Sequence, residues 1–222
     1  MKKACKEIVN KSAIDVVLSK ELLWNILSLV NDQSRSIIAA SCVCREWRYV
    51  IYKWVTHLSL SWCRNNTNDL VVSVAPNFAK LQSLTLSQTN SLLEDSAIEV
   101  IASCCNNLIE LDISGSLNLT DWLLFLLTQA SGCPDLAKLN ISRCLSFTES
   151  GLRCLSRCKH MKSLNLCCCS RATTDTALDI ISIGCSELQF LNLEECKSVT
   201  DIGLICLACG CQDLRGLNLG WL

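Results

Sequence analysis

The chain contains very little that would carry out chemistry. Its 222 residues include two histidines and eight glycines. The glycines are scattered, so there is no Gly-rich loop to cradle a phosphate. His57 and His160 are far apart in sequence: one falls at a surface-facing strand position and the other just before a repeat start. Both read as solvated or locally bonded imidazoles rather than members of a catalytic pair. A formal net charge of −1 leaves no basic footprint for nucleic acid or an acidic bilayer, so neither is expected as a partner. No run reaches the ~18 to 20 apolar residues of a membrane span, and Trp122 to Leu127 is far too short. The N-terminus opens with two lysines but is broken by Lys6, Glu7, Lys11 and Asp15, so it lacks the apolar core of an export signal. These absences make the nucleus or cytoplasm the expected location. They also point to a non-enzymatic protein with no catalytic residue, metal or cofactor.

Leucine and cysteine are abundant, and they are in phase. Leu-x-x-Leu-x-Leu recurs as Leu81/Leu84/Leu86, Leu108/Leu111/Ile113, Leu136/Leu139/Ile141, Met161/Leu164/Leu166, Leu188/Leu191/Leu193 and Leu214/Leu217/Leu219. Successive starts are 27, 28, 25, 27 and 26 residues apart. Cys105, Cys133, Cys158, Cys185 and Cys211 each stand three residues before a start, while Cys63, Cys144, Cys169 and Cys196 stand eight after one. That assigns nine of the eighteen cysteines to the period. Cysteines in one column of a stacked array act as small buried apolar residues. Cys206-x-x-Cys209, Cys42-x-Cys44 and the run Cys167–Cys169 match fragments of metal sites, but chance produces such matches at this cysteine density.

The period reads as strand, loop, helix, loop. Leu-x-Leu alternation marks a short strand with one buried face. Ile98/Ile101/Cys105, Leu178/Ile181/Cys185 and Leu204/Leu207/Cys211 then follow helical spacing as a stripe that covers the strands. Thr120-Asp121, Thr148-Glu149, Thr174-Asp175 and Thr200-Asp201 place a capping hydroxyl and an early carboxylate at helix starts. A degenerate first copy begins at Val55, with Leu58, Leu60 and Cys63. Its helical half, near Leu70 to Phe78, is interrupted by Pro76, and Phe78 stands in the cysteine column. The expected fold class is α/β: a right-handed leucine-rich-repeat solenoid with short parallel strands on the concave face and helices on the convex face. At this length a chain buries roughly 70% of its unfolded surface, so it folds without disulfides.

A different pattern precedes the repeats. Leu22, Leu23, Ile26, Leu27 and Val30 form a helical stripe, followed by a polar break at Asn31, Asp32, Gln33 and Ser34. A second helical stretch runs from Ile37 through Ala40, Cys44, Trp47 and Val50. Pattern alone is equally compatible with helices that only cap the solenoid, which would make the chain a repeat scaffold or inhibitor outside any ligase.

Glu21-Leu22-Leu23, Ile26-Leu27-Ser28-Leu29-Val30, Ala39-Ala40-Ser41, Val43-Cys44 and Trp47-Arg48 together resemble the F-box. Substrate receptors use this all-α module to dock on the Skp adaptor of cullin-based ubiquitin ligases. The order of F-box and cysteine-containing repeats, with Leu58-Ser-Leu-Ser-Trp62-Cys63 and Leu217-Asn-Leu-Gly-Trp221, resembles plant F-box/leucine-rich-repeat proteins of the S-phase kinase-associated protein two-like type. The match covers residues 14 to 222. F-boxes usually open Leu-Pro-x-Glu, whereas this chain reads Leu18-Ser19-Lys20-Glu21. It also stops at Leu222, in the column where cysteine belongs, so it reads as C-terminally short.

The expected domains are a flexible N-terminus 1–13, an F-box 14–53 and a solenoid 54–222 of about six to seven repeats, the last incomplete. The resemblance implies the substrate-recognition subunit of an SCF-type ligase, which binds a Skp-type adaptor, and through it a cullin, and holds target proteins, cell-cycle regulators among them. It places Leu18, Glu21, Leu22, Leu23, Ile26, Leu27, Val43 and Trp47 at the adaptor. Strand geometry puts the target on the outward columns. The expected target residues are Asp112, Lys138, Asn140, Arg143, Asn165, Phe190, Asn192, Glu194 and Asn218.

Overall fold

The computed structural model describes residues 18–29, 34–63, 66–88 and 92–221. The expected flexible segment 1–13, the F-box start at 14–17, Val30, the break at Asn31, Asp32 and Gln33, and Leu222 lie outside them. The described residues fall into two compact units that divide between Val55 and Thr56.

The first unit is helical: α1 Lys20–Ser28, α2 Ser34–Ser41 and α3 Arg45–Trp54. Ser19, standing where an F-box usually has proline, caps α1 by accepting from the Leu22 amide at 3.2 Å. The stretch expected from Ile37 to Val50 is two helices, not one. Cys44 is extended and its thiol accepts from the Trp47 amide, so α3 starts afresh there. Arg48 Nε spans the break by donating to the Ser41 carbonyl at 3.0 Å. Both α1 and α2 pack against α3, and Trp24 stacks on Trp54.

In the second unit every repeat forms one strand: β1 His57–Ser59, β2 Ser83–Thr85, β3 Glu110–Asp112, β4 Lys138–Asn140, β5 Ser163–Asn165, β6 Phe190–Asn192 and β7 Gly216–Asn218. They form a single parallel sheet in sequence order. The register sets Leu58, Leu84, Leu111, Leu139, Leu164, Leu191 and Leu217 side by side. All but Leu217 are buried, and each buried leucine contributes roughly 1.5–3 kcal/mol. The helices are α4 Thr67–Val74, α5 Asp95–Cys104, α6 Asp121–Leu127, α7 Glu149–Cys154, α8 Asp175–Gly184 and α9 Asp201–Gly210. Pro76 sits in a 3-10 turn, Ala75–Asn77, that ends the first helical segment, and Phe78 fills the cysteine column fully buried. The leucine-rich-repeat fold is thus present copy by copy. Among the described residues no helix is long and apolar enough to cross a membrane.

The seams between repeats use the expected residues in ways the pattern did not show. Asp95, Asp121 and Asp175 reach forward to the next repeat's cap, where each accepts from both the amide and the hydroxyl of Thr120, Thr148 and Thr200 respectively. Glu149 accepts from the Thr174 hydroxyl in the same way, and that bond, aided by Arg153, holds its carboxyl below the ordinary range. The early carboxylates therefore latch neighbouring helices together in addition to lying near a helix dipole.

The cysteines also do more than fill space. Cys105, Cys133, Cys185 and Cys211 follow helix ends and point their thiols at carbonyls one repeat back, with Cys185 Sγ 3.3 Å from the Leu155 oxygen. Cys144, Cys169 and Cys196 do the same at the strand exits, at 3.4, 3.2 and 3.1 Å from Ile113, Ile141 and Leu166. Ser116 occupies this second column, fully buried, and its hydroxyl has no hydrogen-bond partner among the described residues. An unsatisfied buried hydroxyl costs ~1–3 kcal/mol, whereas a thiol is weakly polar. Ser116→Cys is therefore expected to raise stability by ~1 kcal/mol in urea denaturation, and an unchanged or lower midpoint would contradict that account.

Candidate functional site

On the helical unit, burial divides the expected adaptor stripe. Leu23 and Leu27 are in the core, so in this fold they are not free to meet a partner. Leu22 and Ile26, one position earlier, are 52% and 45% exposed, and Leu29 continues their line at 83%. Val43, in the turn before α3, is 63% exposed. Leu18 and Trp47 are half-buried and Glu21 is exposed. The result is an outward apolar surface on α1 and the α2–α3 turn, backed by an inward one that packs the unit.

On the repeat unit the open face of the sheet carries two outward columns on the strands. In the first, Lys138 Nζ pairs with Glu110 at 3.5 Å, and Phe190 is 51% exposed. The Phe190 ring lies over β7 because residue 216 is glycine: a Cβ there would stand 2.7 Å from Phe190 Cδ1.

The second column holds Asp112, Asn140, Asn165, Asn192 and Asn218, and all five side chains are engaged in the same way. Each Oδ1 accepts from the backbone amide two residues on: Ser114 at 2.9 Å, Ser142 at 3.1 Å, Cys167 at 3.1 Å, Glu194 at 2.9 Å and Gly220 at 3.1 Å. These are Asx turns that bend the chain out of the sheet. The oxygens of this column are thus committed to their own strand exits.

The turn carries the chain into a left-handed conformation. Gly115 has φ 77°, and the same place in later repeats is held by Arg143 (φ 60°), Cys168 (φ 62°), Glu195 (φ 58°) and Trp221 (φ 59°). Non-glycine residues there cost ~1–2 kcal/mol each relative to right-handed backbone. Their side chains form a rim above the strand exits. Arg143 is exposed, and its guanidinium has no ion pair among the described residues. Cys168 Sγ stands 3.5 Å from Cys167 Sγ and 3.6 Å from Glu195 Oε2. Partial burial, then the Cys168 thiol and the Glu194 and Glu195 charges, push Cys167 up to about 12, so it is a protonated thiol at neutral pH.

Two depressions follow from this layout. One, of about 670 Å³, lies at the rim and is lined by Ser87, Ser142, Arg143, Asn165, Cys167, Asn192 and Glu195 among others. The other, of about 390 Å³, lies on the sheet between β5 and β7 and brings together Asn165, Phe190, Asn192 and Asn218 over Gly216. Asp112, Lys138, Asn140 and Glu194 line neither. Cys168 and Gly216 were not singled out from sequence for this face. The signal was there for Cys168: Gly115 stands in phase with it and marks the position that requires positive φ. Among the described residues no group of three or more His, Cys, Asp or Glu is arranged to hold a metal ion.

No protein-family model matches the chain. Among solved structures it is similar to one from the Rad7–Elc1 complex of yeast, at 13% identity and TM-score 0.45, covering 99% of this chain and 74% of that one. It is also similar to actin-binding site 2 of leiomodin-1, at 10% identity and TM-score 0.46, covering 67% and 87%. Likeness of this extent carries no argument about function.

Proposed function

We propose that the chain is a non-enzymatic substrate-recognition subunit of an SCF-type ubiquitin ligase. In this reading the helical unit docks on a Skp-type adaptor, and through it a cullin, while the open face of the repeats holds a target protein. The supporting observation is the outward apolar surface of Leu22, Ile26, Leu29 and Val43, on a unit whose sequence resembles the F-box and which directly precedes the repeats. A helix face of this kind is left without internal partners and suits a groove on another protein. The mechanism is proximity: target and ubiquitin-carrying enzyme are held in one assembly, which raises their effective concentration.

The test follows from how α1 divides. Leu23→Asp and Leu27→Asp would strike the core and confuse unfolding with lost docking. Leu22→Asp with Ile26→Asp alters only the exposed line. Wild-type chain is expected to be captured by immobilised recombinant Skp-type adaptor, with capture by the double variant reduced at least ~100-fold at an unchanged melting temperature. Undiminished capture of the variant, or none of the wild type, overturns the reading. The second outcome would leave a repeat scaffold whose first helices act only as a cap.

A further inference from the structure

Cys167 and Cys168 belong to neither cysteine column, so packing does not account for them. The columns of this repeat hold Cys158 and Cys169 instead. At the matching places the neighbouring repeats carry Ser142-Arg143 and Glu194-Glu195. In an extended strand adjacent side chains point to opposite faces. The left-handed backbone at Cys168, φ 62°, breaks that alternation, and both cysteines line the depression of about 670 Å³ at the rim. Their sulfurs stand 3.5 Å apart, half-buried and free of any disulfide.

The backbone holds this pair in place. The Cys167 carbonyl accepts from the Arg143 amide, and the Cys168 amide donates to the Glu194 carbonyl, each at 2.8 Å. Closure to a disulfide is disfavoured, because adjacent Cα atoms are ~3.8 Å apart and disulfides usually need roughly 4.4–6.8 Å. Partial burial, then the neighbouring thiol and carboxylates, keep Cys167 protonated.

The spacing selects what can bridge the two sulfurs. With bonds to sulfur of ~2.3 Å, a linear ion sets its two sulfurs ~4.6 Å apart and a tetrahedral one ~3.8 Å. At that bond length 3.5 Å corresponds to an angle of ~100°, the pyramid of a trivalent centre with a lone pair. Glu195 Oε2 lies 3.6 Å from Cys168 Sγ, but the three side chains are not arranged to hold a metal ion. A trivalent arsenical is a soft centre that needs only two thiols, because it brings its own third group.

We propose that Cys167 and Cys168 form a dithiol site for trivalent arsenicals, with arsenic bridging the two sulfurs and its organic group lying in the rim depression. The step is a condensation with an organoarsonous acid, in which two As–O bonds break and two As–S bonds form. Each thiol proton leaves with a hydroxide as water, and arsenic stays trivalent, so neither oxidant nor reductant is needed. The product is uncharged, so the Glu194 and Glu195 carboxylates do not oppose it. The site is independent of the ligase reading.

The test treats the full, reduced chain with phenylarsine oxide in excess glutathione and measures its intact mass under native conditions. Glutathione removes arsenic held by a single thiol. One phenylarsenic unit per chain is expected, with the loss of two hydrogens, and a small dithiol should strip it. Cys167→Ser and Cys168→Ser should each weaken retention at least ~100-fold, since each leaves a one-point attachment. Cys209→Ser, which removes an exposed cysteine elsewhere, should leave retention unchanged. In the wild-type adduct, alkylation of the remaining thiols in denaturant before trypsin digestion should leave Cys167 and Cys168 unmodified, a readout that depends on no variant folding. Absence of the adduct, its survival in either serine variant, or protection mapped to other cysteines would each overturn the proposal.

Discussion

Above about pH 9 the repeat unit is expected to lose its fold over a narrow range, in reducing buffer and with no metal or ligand involved. Burial pushes Cys133, Cys169 and Cys185 up to about 12, and Cys105, Cys144 and Cys158 to about 11, from an ordinary 9.0. At neutral pH these thiols are protonated whether the chain is folded or not, so the contribution they make to stability is fully present. Above 9.0 the unfolded chain releases its protons first, while the fold still holds them. Each such thiol then removes about 1.4 kcal/mol per pH unit until the folded values are reached. Six thiols acting together exceed the ~5–15 kcal/mol that holds a typical domain. Urea denaturation at stepped pH measures the slope directly. Cys133→Ala with Cys185→Ala should make it shallower by about two protons, and an identical slope in that variant would refute the assignment.

Gly184→Val is expected to be strongly destabilising although it lies far from the open face of the sheet. A Cβ at Gly184 would fall inside the backbone of Ser156, on its Cα, carbonyl carbon and oxygen, in the 3-10 turn Leu155–Arg157 of the preceding repeat. Backbone cannot swing aside as a side chain does, so α8 must lift from the seam, and overpacking of that kind costs ~3 kcal/mol or more. At this chain length the melting temperature should fall by roughly 10 °C. Gly216→Ala is the contrasting case, because its new Cβ meets only the exposed ring of Phe190. Stability should hold there while the ring moves, so a loss of several degrees in Gly216→Ala, or little change in Gly184→Val, would show these contacts misread.

These glycines show where a sequence stops being readable. Leucine spacing placed the strands to within a residue because alternation is a property of the strand itself. Gly151, Gly184, Gly203, Gly210 and Gly216 looked scattered because what they accommodate is about one repeat away in the chain. Gly132, Gly184 and Gly210 each precede a column cysteine, and the latter two lie on the preceding repeat's backbone at Ser156 and Ser182. Gly151 and Gly203 make room for the carboxylates of Asp121 and Asp175. The Gly-Cys pairs recur in phase and could have been noticed; what they pack against could not. The same holds on the open face. Periodicity put Asn140, Asn165 and Asn192 in one outward column, but which end of each amide is free depends on a turn two residues on. On α1, Leu22 and Leu23 are indistinguishable by hydrophobicity, and only the packing of α3 decides which of them is covered.

The carboxylate–threonine latches have a consequence for the array as a whole. The same parts recur at successive joints: a carboxylate at one helix start, a threonine at the next, and a thiol reaching back to a carbonyl. Each joint is therefore a common fitting, and none of it is drawn from the outward columns of the sheet. The residues of these joints and those that face a visitor are separate sets, so the open face can be rewritten wherever the turn-forming oxygen of the second column is kept, while the fittings hold their shape.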